Sequence, residues 1–307
     1  MAGPAILVAG KSGQLARSLV DVAHTRKLSL VAFGRPDLDI EDADAVERAI
    51  AANAPSAVVN AAGYTAVDQA EAEPARALAI NCDAAARLAS AAHRRRLPFI
   101  HISSDYVFDG AKPTPYVETD AANPLSAYGR SKLAGEAAVL NAHPGALVLR
   151  TSWLYSRYGH NFLNTMLRLA QTKDAAGASV VRVVDDQQGA PTSARDLAGA
   201  ILDLIAALTG AEAADRGGIY QLTAGGVTTW HGFAAAIFAG LQRRGYRVPA
   251  LRPISTADYP SPARRPANSR LDCGKIERSF GIALPVWSRA LDLCLDEVAV
   301  AKTEMSS

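Results

Sequence analysis

The chain has 307 residues, 49% hydrophobic and 20% charged, and a formal net charge of +2. That composition excludes a disordered chain, and so balanced a charge gives no electrostatic reason to bind nucleic acid or an anionic membrane. Three cysteines, Cys82, Cys273 and Cys294, stand in no CxxC or Cys/His spacing, which speaks against a disulfide framework or a zinc motif and fits a reducing compartment.

The first strand is expected over residues 5–9, "AILVA". The run is too short for a secretory signal and lacks a basic start, and no stretch of about 18 apolar residues follows anywhere, so a cytoplasmic protein with no membrane span is expected. Gly10 and Gly13 come directly after this strand, and Ala16 completes a Gly-x-x-Gly-x-x-Ala variant of the dinucleotide fingerprint. The first glycine permits an unusual turn, and the second lets backbone approach a pyrophosphate. The small third residue lets helix and strand pack closely. A helix over 14–24 would then point its N-terminus at the diphosphate.

A second strand, 28–33, ends before Gly34 and Arg35, where dinucleotide folds place the residue that reads the adenosine ribose. An arginine there suits a 2′-phosphate and so NADPH, with NADH admitted as a second cofactor. Asp39 and Ile40 follow as candidates to line the adenine. After a helix over 42–53 and a strand over 56–61, the small residues of "NAAGYTAVD" (60–68) let a dinucleotide lie across the strand ends. Ala61, Ala62, Gly63, Tyr64 and Thr65 are the candidates there.

A long helix is expected over 74–95, ending in the basic "HRRR" that suits a helix C-terminus. The fourth strand, 98–103, delivers Ser103 to Tyr106 to the carboxyl edge of the sheet, where open α/β sheets bind ligands. Either Ser103 or Ser104 could bond a substrate carbonyl. A helix over 126–141, with Ser126 as N-cap, places Tyr128 and Lys132 on one face, one turn apart. A lysine beside a phenol is expected to lower its pKa, so that Tyr128 can pass a proton. A fifth strand is expected over 146–151.

These alternating strands and helices predict a Rossmann-type doubly wound parallel sheet over 1–150, with parts of 160–185 and 229–246 as candidates to join it. Residues 151–307 would then form mainly a smaller, partly interleaved C-terminal substrate domain, with helices near 161–170, 193–208 and 228–245 and a strand within 217–226. The loop 259–272 is rich in proline and arginine. Arg264 and Arg265 in it could fork a diphosphate, and Arg264 is the substrate candidate.

The motifs "GKSGQL" (10–15), "NAAGYTAVDQAE" (60–71), "SSDYVFDG" (103–110), "YGRSKLAGE" (128–136), "RTSWLY" (150–155), "DDQQGAPT" (185–192) and "SPARRPANSRLD" (261–272) resemble those of the extended short-chain dehydrogenase/reductases, and within them the dTDP-4-dehydrorhamnose reductase family. The resemblance runs over almost the whole chain. It implies that Tyr128 protonates O4 of a 4-keto sugar, and that Lys132 lowers the tyrosine pKa and holds the nicotinamide ribose. Ser104 stands where the family usually has threonine, and keeps the hydroxyl. Asp105 and Trp153 match substrate contacts. The glycine-loop motif adds Lys11, Ser12, Gln14 and Leu15 to the cofactor candidates. The implied activity is NADPH-dependent reduction of the C4 ketone of dTDP-4-dehydro-L-rhamnose by a monomer or homodimer. Some members of the family are described with Mg2+ held by glutamates at a dimer interface. Arg195 lies where this chain would need such a glutamate, so no metal ligand is assigned and Mg2+ stays open. The alternatives are a nucleotide-sugar 4-epimerase and a binding module resembling the regulatory subunit of methionine adenosyltransferase. The Tyr128/Lys132 pair and Ser104 argue for catalysis.

Overall fold

In the computed structural model, residues 4–170, 180–209 and 216–304 are described. Strands β1 (Ile6–Ala9), β2 (Leu30–Phe33), β3 (Ala57–Asn60) and β5 (Leu147–Thr151) fall within predicted runs, and β4 (Phe99–Ser104) extends one residue past its own. They alternate with helices α1 (Gln14–Thr25), α2 (Ala43–Asn53), α3 (Val67–Ala72), α4 (Pro74–Leu78), α5 (Ala85–Arg94) and α6 (Ala127–Ala142). Every pairing in the main sheet is parallel. Alternate strand residues feed two cores. Val8, Val59, Ile100 and Leu149 pack with α1 on one face, while Leu7, Val58, Phe99 and Val148 pack with α2 and α5 on the other. Burial on both faces is why these strands read as continuous apolar runs.

Beyond Thr151 lie short strands and further helices: β6 (Leu154–Tyr155), α7 (Phe162–Leu169), β7 (Val180–Val184), β8 (Gln188–Gly189), β9 (Thr192–Ser193), α8 (Ala194–Ala207), β10 (Gly218–Gln221), β11 (Thr228–Thr229), α9 (Trp230–Arg243), β12 (Ala250–Ile254), α10 (Gly274–Phe280) and α11 (Trp287–Glu304). The expected placement of the 217–226 strand in the C-terminal part is corrected. β10 pairs parallel with β5 and becomes the sixth strand of the main sheet, in the order β10-β5-β4-β3-β1-β2. Helix α8 covers the same face as α1, sharing its core through Leu197, Ile201 and Leu204. Parts of 160–185 and 229–246, the candidates to join the first sheet, instead pack together: Leu163, Val181 and Phe233 share a third core with Leu291. Residues 171–179 of that stretch lie outside the described residues. Among the described residues, no helix is long and apolar enough to cross a membrane.

The predicted helix 74–95 is one path with a defect. Between α4 and α5 the backbone runs as a π-helix over Ala79–Ala84. This is where α6 comes closest. A Cβ on Gly135 would lie 2.1 Å from the Asn81 carbonyl oxygen, and one on Gly129 would lie 2.2 Å from the Tyr106 carbonyl oxygen. The two poor helix formers of α6 are therefore contact points, and Ser126 caps the helix by accepting from Gly129 N.

A buried ion pair then fastens α6 to the sheet. Arg150 of β5 donates from Nε to Glu136 Oε1 at 2.9 Å and from Nη2 to Oε2 at 2.6 Å, and Ser103 of β4 donates to Oε1 at 2.5 Å. Both charged side chains are almost fully buried, at 3% and 2% exposure. Removing one partner leaves the other charged and unpaired, which costs about 3–5 kcal/mol. Glu136→Leu is expected to lower the urea midpoint by that measure, and Glu136→Leu/Arg150→Met to regain much of it. An unchanged midpoint in the single variant would mean that the pair holds nothing together.

Candidate active site

The candidate site lies along the carboxyl ends of β1, β3, β4 and β5. At its floor, Gly10 has φ +111°, and a Cβ on it would come within 2.8 Å of Ala61 C and Ala62 N. Only glycine lets the first turn pass so close to the end of β3. Gly13 N donates to Gly10 O at 2.9 Å, and Gly13 precedes α1 as an N-cap without a side-chain partner. Lys11, Ser12 and Gly13 are exposed, and no acidic residue lies in the first turn of α1. An exposed helix start with no carboxylate in its first turn fits a diphosphate. Leu15, by contrast, is buried in the core beneath α1, and Ile40 in the opposite core. Their side chains are framework. Gln14 is turned away too, donating to Leu154 O and accepting from Ser156 and Asn161.

At the end of β2, Arg35 does not stand free. It donates to Asp39 at 2.8 and 3.2 Å and also bonds Glu41, which Arg76 shares. Lys11 pairs with Asp37 at 3.0 Å. Three cations thus face three carboxylates at the place predicted to read the ribose. Asp39 is held below the usual carboxylate range, first by its hydrogen bond from Arg35.

The loop 61–65 is pinned by a residue the sequence reading passed over. Asn81, carried on the π-helix, accepts from Tyr64 N at 2.8 Å and donates to Tyr64 O at 3.1 Å and to Ser131 Oγ at 2.9 Å. It thereby ties the loop to α6. No sequence signal marks it, because its role follows from its burial beside α6. Gly63 lies beside Asn81 and Lys132, where a Cβ would sit 3.9 Å from the ammonium. Thr65 is exposed.

Ser104, Asp105, Tyr128 and Lys132 do come together, all of them buried. Ser104 Oγ donates to Asp105 Oδ1 at 2.9 Å and accepts from Tyr106 N at 3.2 Å. The Tyr128 ring meets Tyr106 edge-on, with centroids 5.5 Å apart. Burial pushes the Tyr128 phenol up to about 12, opposed by its hydrogen bond with Ser104. This corrects the expected direction. Lys132 is not among the groups that shift Tyr128, and its ammonium donates to the Ile102 carbonyl of β4. Burial pushes Lys132 down to about 8, against the upward pull of Glu136. Burial also raises Asp105 to about 6, although Ser269 and Ser104 hydrogen-bond to it, and its Oδ2 has no partner. Ser103 is not the second candidate hydroxyl, because it is committed to Glu136.

Trp153 forms another wall. It follows β5 by two residues, and the last β5 residue, Thr151, pairs with Ser104. Its φ is +48°, a left-handed backbone that costs an aromatic residue about 1–3 kcal/mol. Arg264 is exposed, with no side-chain hydrogen bond or ion pair among the described residues, whereas Arg265 is committed to Asp68 at 2.8 Å. Arg195 pairs with Glu297, so a cation already occupies the position where Mg2+ would need a carboxylate. No group of three or more His, Cys, Asp or Glu side chains suited to a metal stands among the described residues.

Comparison with known proteins gives one consistent picture. The model of the family described as the RmlD substrate binding domain matches residues 4–300. A dTDP-4-dehydrorhamnose reductase of Sinorhizobium fredii is 46% identical over 285 residues, 93% of this chain and 94% of that one. The crystal structure of a dTDP-4-dehydrorhamnose reductase from Clostridium acetobutylicum matches with a TM-score of 0.86 at 35% identity, covering 96% of this chain and 99% of that one. The same enzyme from Bacillus anthracis, solved in complex with NADP, has a TM-score of 0.86 at 31% identity, covering 97% and 100%.

The charge cluster at β2 yields a test of cofactor choice. Arg35→Ala removes a forked cation and leaves Asp39 and Glu41 to repel a 2′-phosphate. The KM for NADPH is expected to rise about tenfold relative to that for NADH, the size of one charge-assisted contact. An unchanged ratio would mean that Arg35 serves only its two carboxylates.

Proposed function

This chain belongs to the RmlD substrate binding domain family, and from that premise we propose that it reduces the C4 ketone of dTDP-4-dehydro-L-rhamnose to dTDP-L-rhamnose with NADPH. The observation that carries the reading is the Tyr128 phenol, buried beside Ser104, on the same helix face as Lys132 and beside a glycine cradle that fits a dinucleotide. NADPH, when bound, supplies the hydride that reaches the sugar C4. The chain supplies the rest. With its pKa near 12, Tyr128 enters the reaction as the protonated phenol at neutral pH. As negative charge grows on O4, Tyr128 Oη gives up its proton to that oxygen, and the Ser104 hydroxyl steadies it. The buried phenolate left behind needs a cation, which Lys132 would supply by turning from the Ile102 carbonyl towards it. Gly10, Ser12, Gly13 and the 61–65 loop hold the dinucleotide; Asp105, Trp153 and Arg264 hold the sugar nucleotide.

The division of labour follows the packing. The main sheet, with residues 1–150 joined by α8 and β10, would bind the dinucleotide, and the remainder of 151–307 would bind the sugar. We place the enzyme in the cytoplasm, as a monomer or homodimer acting on a dTDP-sugar. Three free cysteines agree with a reducing compartment. An epimerase would interconvert sugars without net oxidation of the nicotinamide, and a binding module would do neither. An NADPH absorbance assay with dTDP-4-dehydrorhamnose, read together with the sugar product by NMR, therefore separates the three.

Tyr128→Phe is expected to lower kcat by roughly 10²–10⁴-fold with NADPH binding retained. A near-native kcat would remove Tyr128 as the acid. The pH profile gives a second test. Lys132 is depressed to about 8, so its cation is present below that pH and lost above it. Activity that needs the cation should hold below about 8 and fall as pH rises through it. Lys132→Arg keeps the charge at all accessible pH and should move the alkaline limb upwards, even if the rate itself drops. A limb that stays in place would belong to another group.

A further inference from the structure

Trp153 holds its left-handed backbone against steric preference, and its neighbours explain how. The indole of Trp230 lies face to face with that of Trp153, with centroids 3.6 Å apart and planes 10° apart. Gly189 leaves the space the ring needs, since a Cβ there would come within 2.5 Å of Trp153 Cε2. Trp230 is itself fixed. It opens α9 behind the Thr229 cap, and its indole N–H donates to Gln187 Oε1 at 3.2 Å. Gln187 is buried and donates in turn to Thr256 Oγ1 at 3.0 Å. Phe162 packs against the same indole at 4.7 Å. Trp153 has no such anchor of its own: its N–H donates to no group among the described residues, and its ring is placed by the stack and by Gly189.

We propose that Trp230 is a positioning residue for the sugar, acting through the stack to set the plane of Trp153 at the cleft wall beside Ser104. The inference rests on the reading of Trp153 as a sugar contact. A mobile indole on a strained backbone would present many faces to a pyranose, while an indole clamped against a second, hydrogen-bonded indole presents one. Trp230 touches neither sugar nor cofactor in this account. Its effect is confined to the sugar side of the cleft, because the cofactor cradle is built from β1, β3 and α1, on other elements.

The test is steady-state kinetics with dTDP-4-dehydrorhamnose and NADPH, read beside circular dichroism, in which two stacked indoles give an exciton couplet. Trp230→Leu is expected to abolish the couplet and raise the sugar KM about 3- to 10-fold, the worth of one aromatic pair, with the NADPH KM unchanged. Trp230→Phe keeps a stacking face, and should bring the sugar KM most of the way back without restoring the couplet. Gln187→Leu frees the N–H that fixes Trp230, and should weaken the couplet and raise the sugar KM without removing a ring from the core. A lost or weakened couplet with an unchanged sugar KM overturns the proposal, as does an equal rise in both KM values. Trp153→Ala separates this failure from failure of the underlying reading. If that variant also leaves the sugar KM unchanged, Trp153 is no sugar contact; if it raises the sugar KM while Trp230→Leu does not, only the positioning role falls.

Discussion

The buried pair of Glu136 and Arg150 is the interaction on which the rest of the site depends. It joins α6 to β5, and Ser103 brings β4 into the same bond. Those three elements carry Tyr128 and Lys132 and Ser104, and Trp153 follows β5 by two residues. An ion pair is an expensive way to join a helix to a sheet, because desolvation cancels much of its attraction. What it adds over apolar packing is register: a two-pronged bond has one satisfied geometry. Lys132 lies one helical turn before Glu136, and that carboxylate is the group that draws the lysine pKa upwards. The fastening is thus also part of the site's electrostatics.

Burial dominates those electrostatics. It raises Tyr128 and Asp105 and lowers Lys132, favouring the uncharged form of each. A phenol that stays protonated at neutral pH is a donor waiting for charge to develop elsewhere, which suits reduction of a ketone. The same burial makes any charge left behind costly, so the phenol keeps its proton until charge develops on the oxygen that receives it.

Much of this was legible in the chain. The first five strands could be read because both faces are covered, and the glycine loop because its position between strand and helix is diagnostic. Tyr128 and Lys132 could be paired by spacing alone. What spacing cannot convey is depth: the expected drop in the tyrosine pKa assumed a charge beside an accessible phenol, whereas the phenol is buried and the ammonium bonds a strand carbonyl. Gly218–Gln221 has two apolar residues in four, too little pattern to reveal which sheet it joins. Asn81 and Trp230 were invisible for a related reason. The π-helix that carries Asn81 is written in ordinary helix formers and lies where α6 approaches at Gly135. Trp230 gains its meaning only from Trp153, which is distant in sequence. Arg35 was found by position, but its carboxylate partners were not.

On the proposed reading, reduction places a hydride from the cofactor on the sugar C4. The most direct measurement is to supply NADPH deuterated at the transferable position of nicotinamide C4 together with dTDP-4-dehydrorhamnose, and to read the product by NMR. The account predicts deuterium at C4 of dTDP-rhamnose, one equivalent for each NADPH oxidised. Turnover of the sugar with no deuterium at C4, or without matching oxidation of the cofactor, would contradict it.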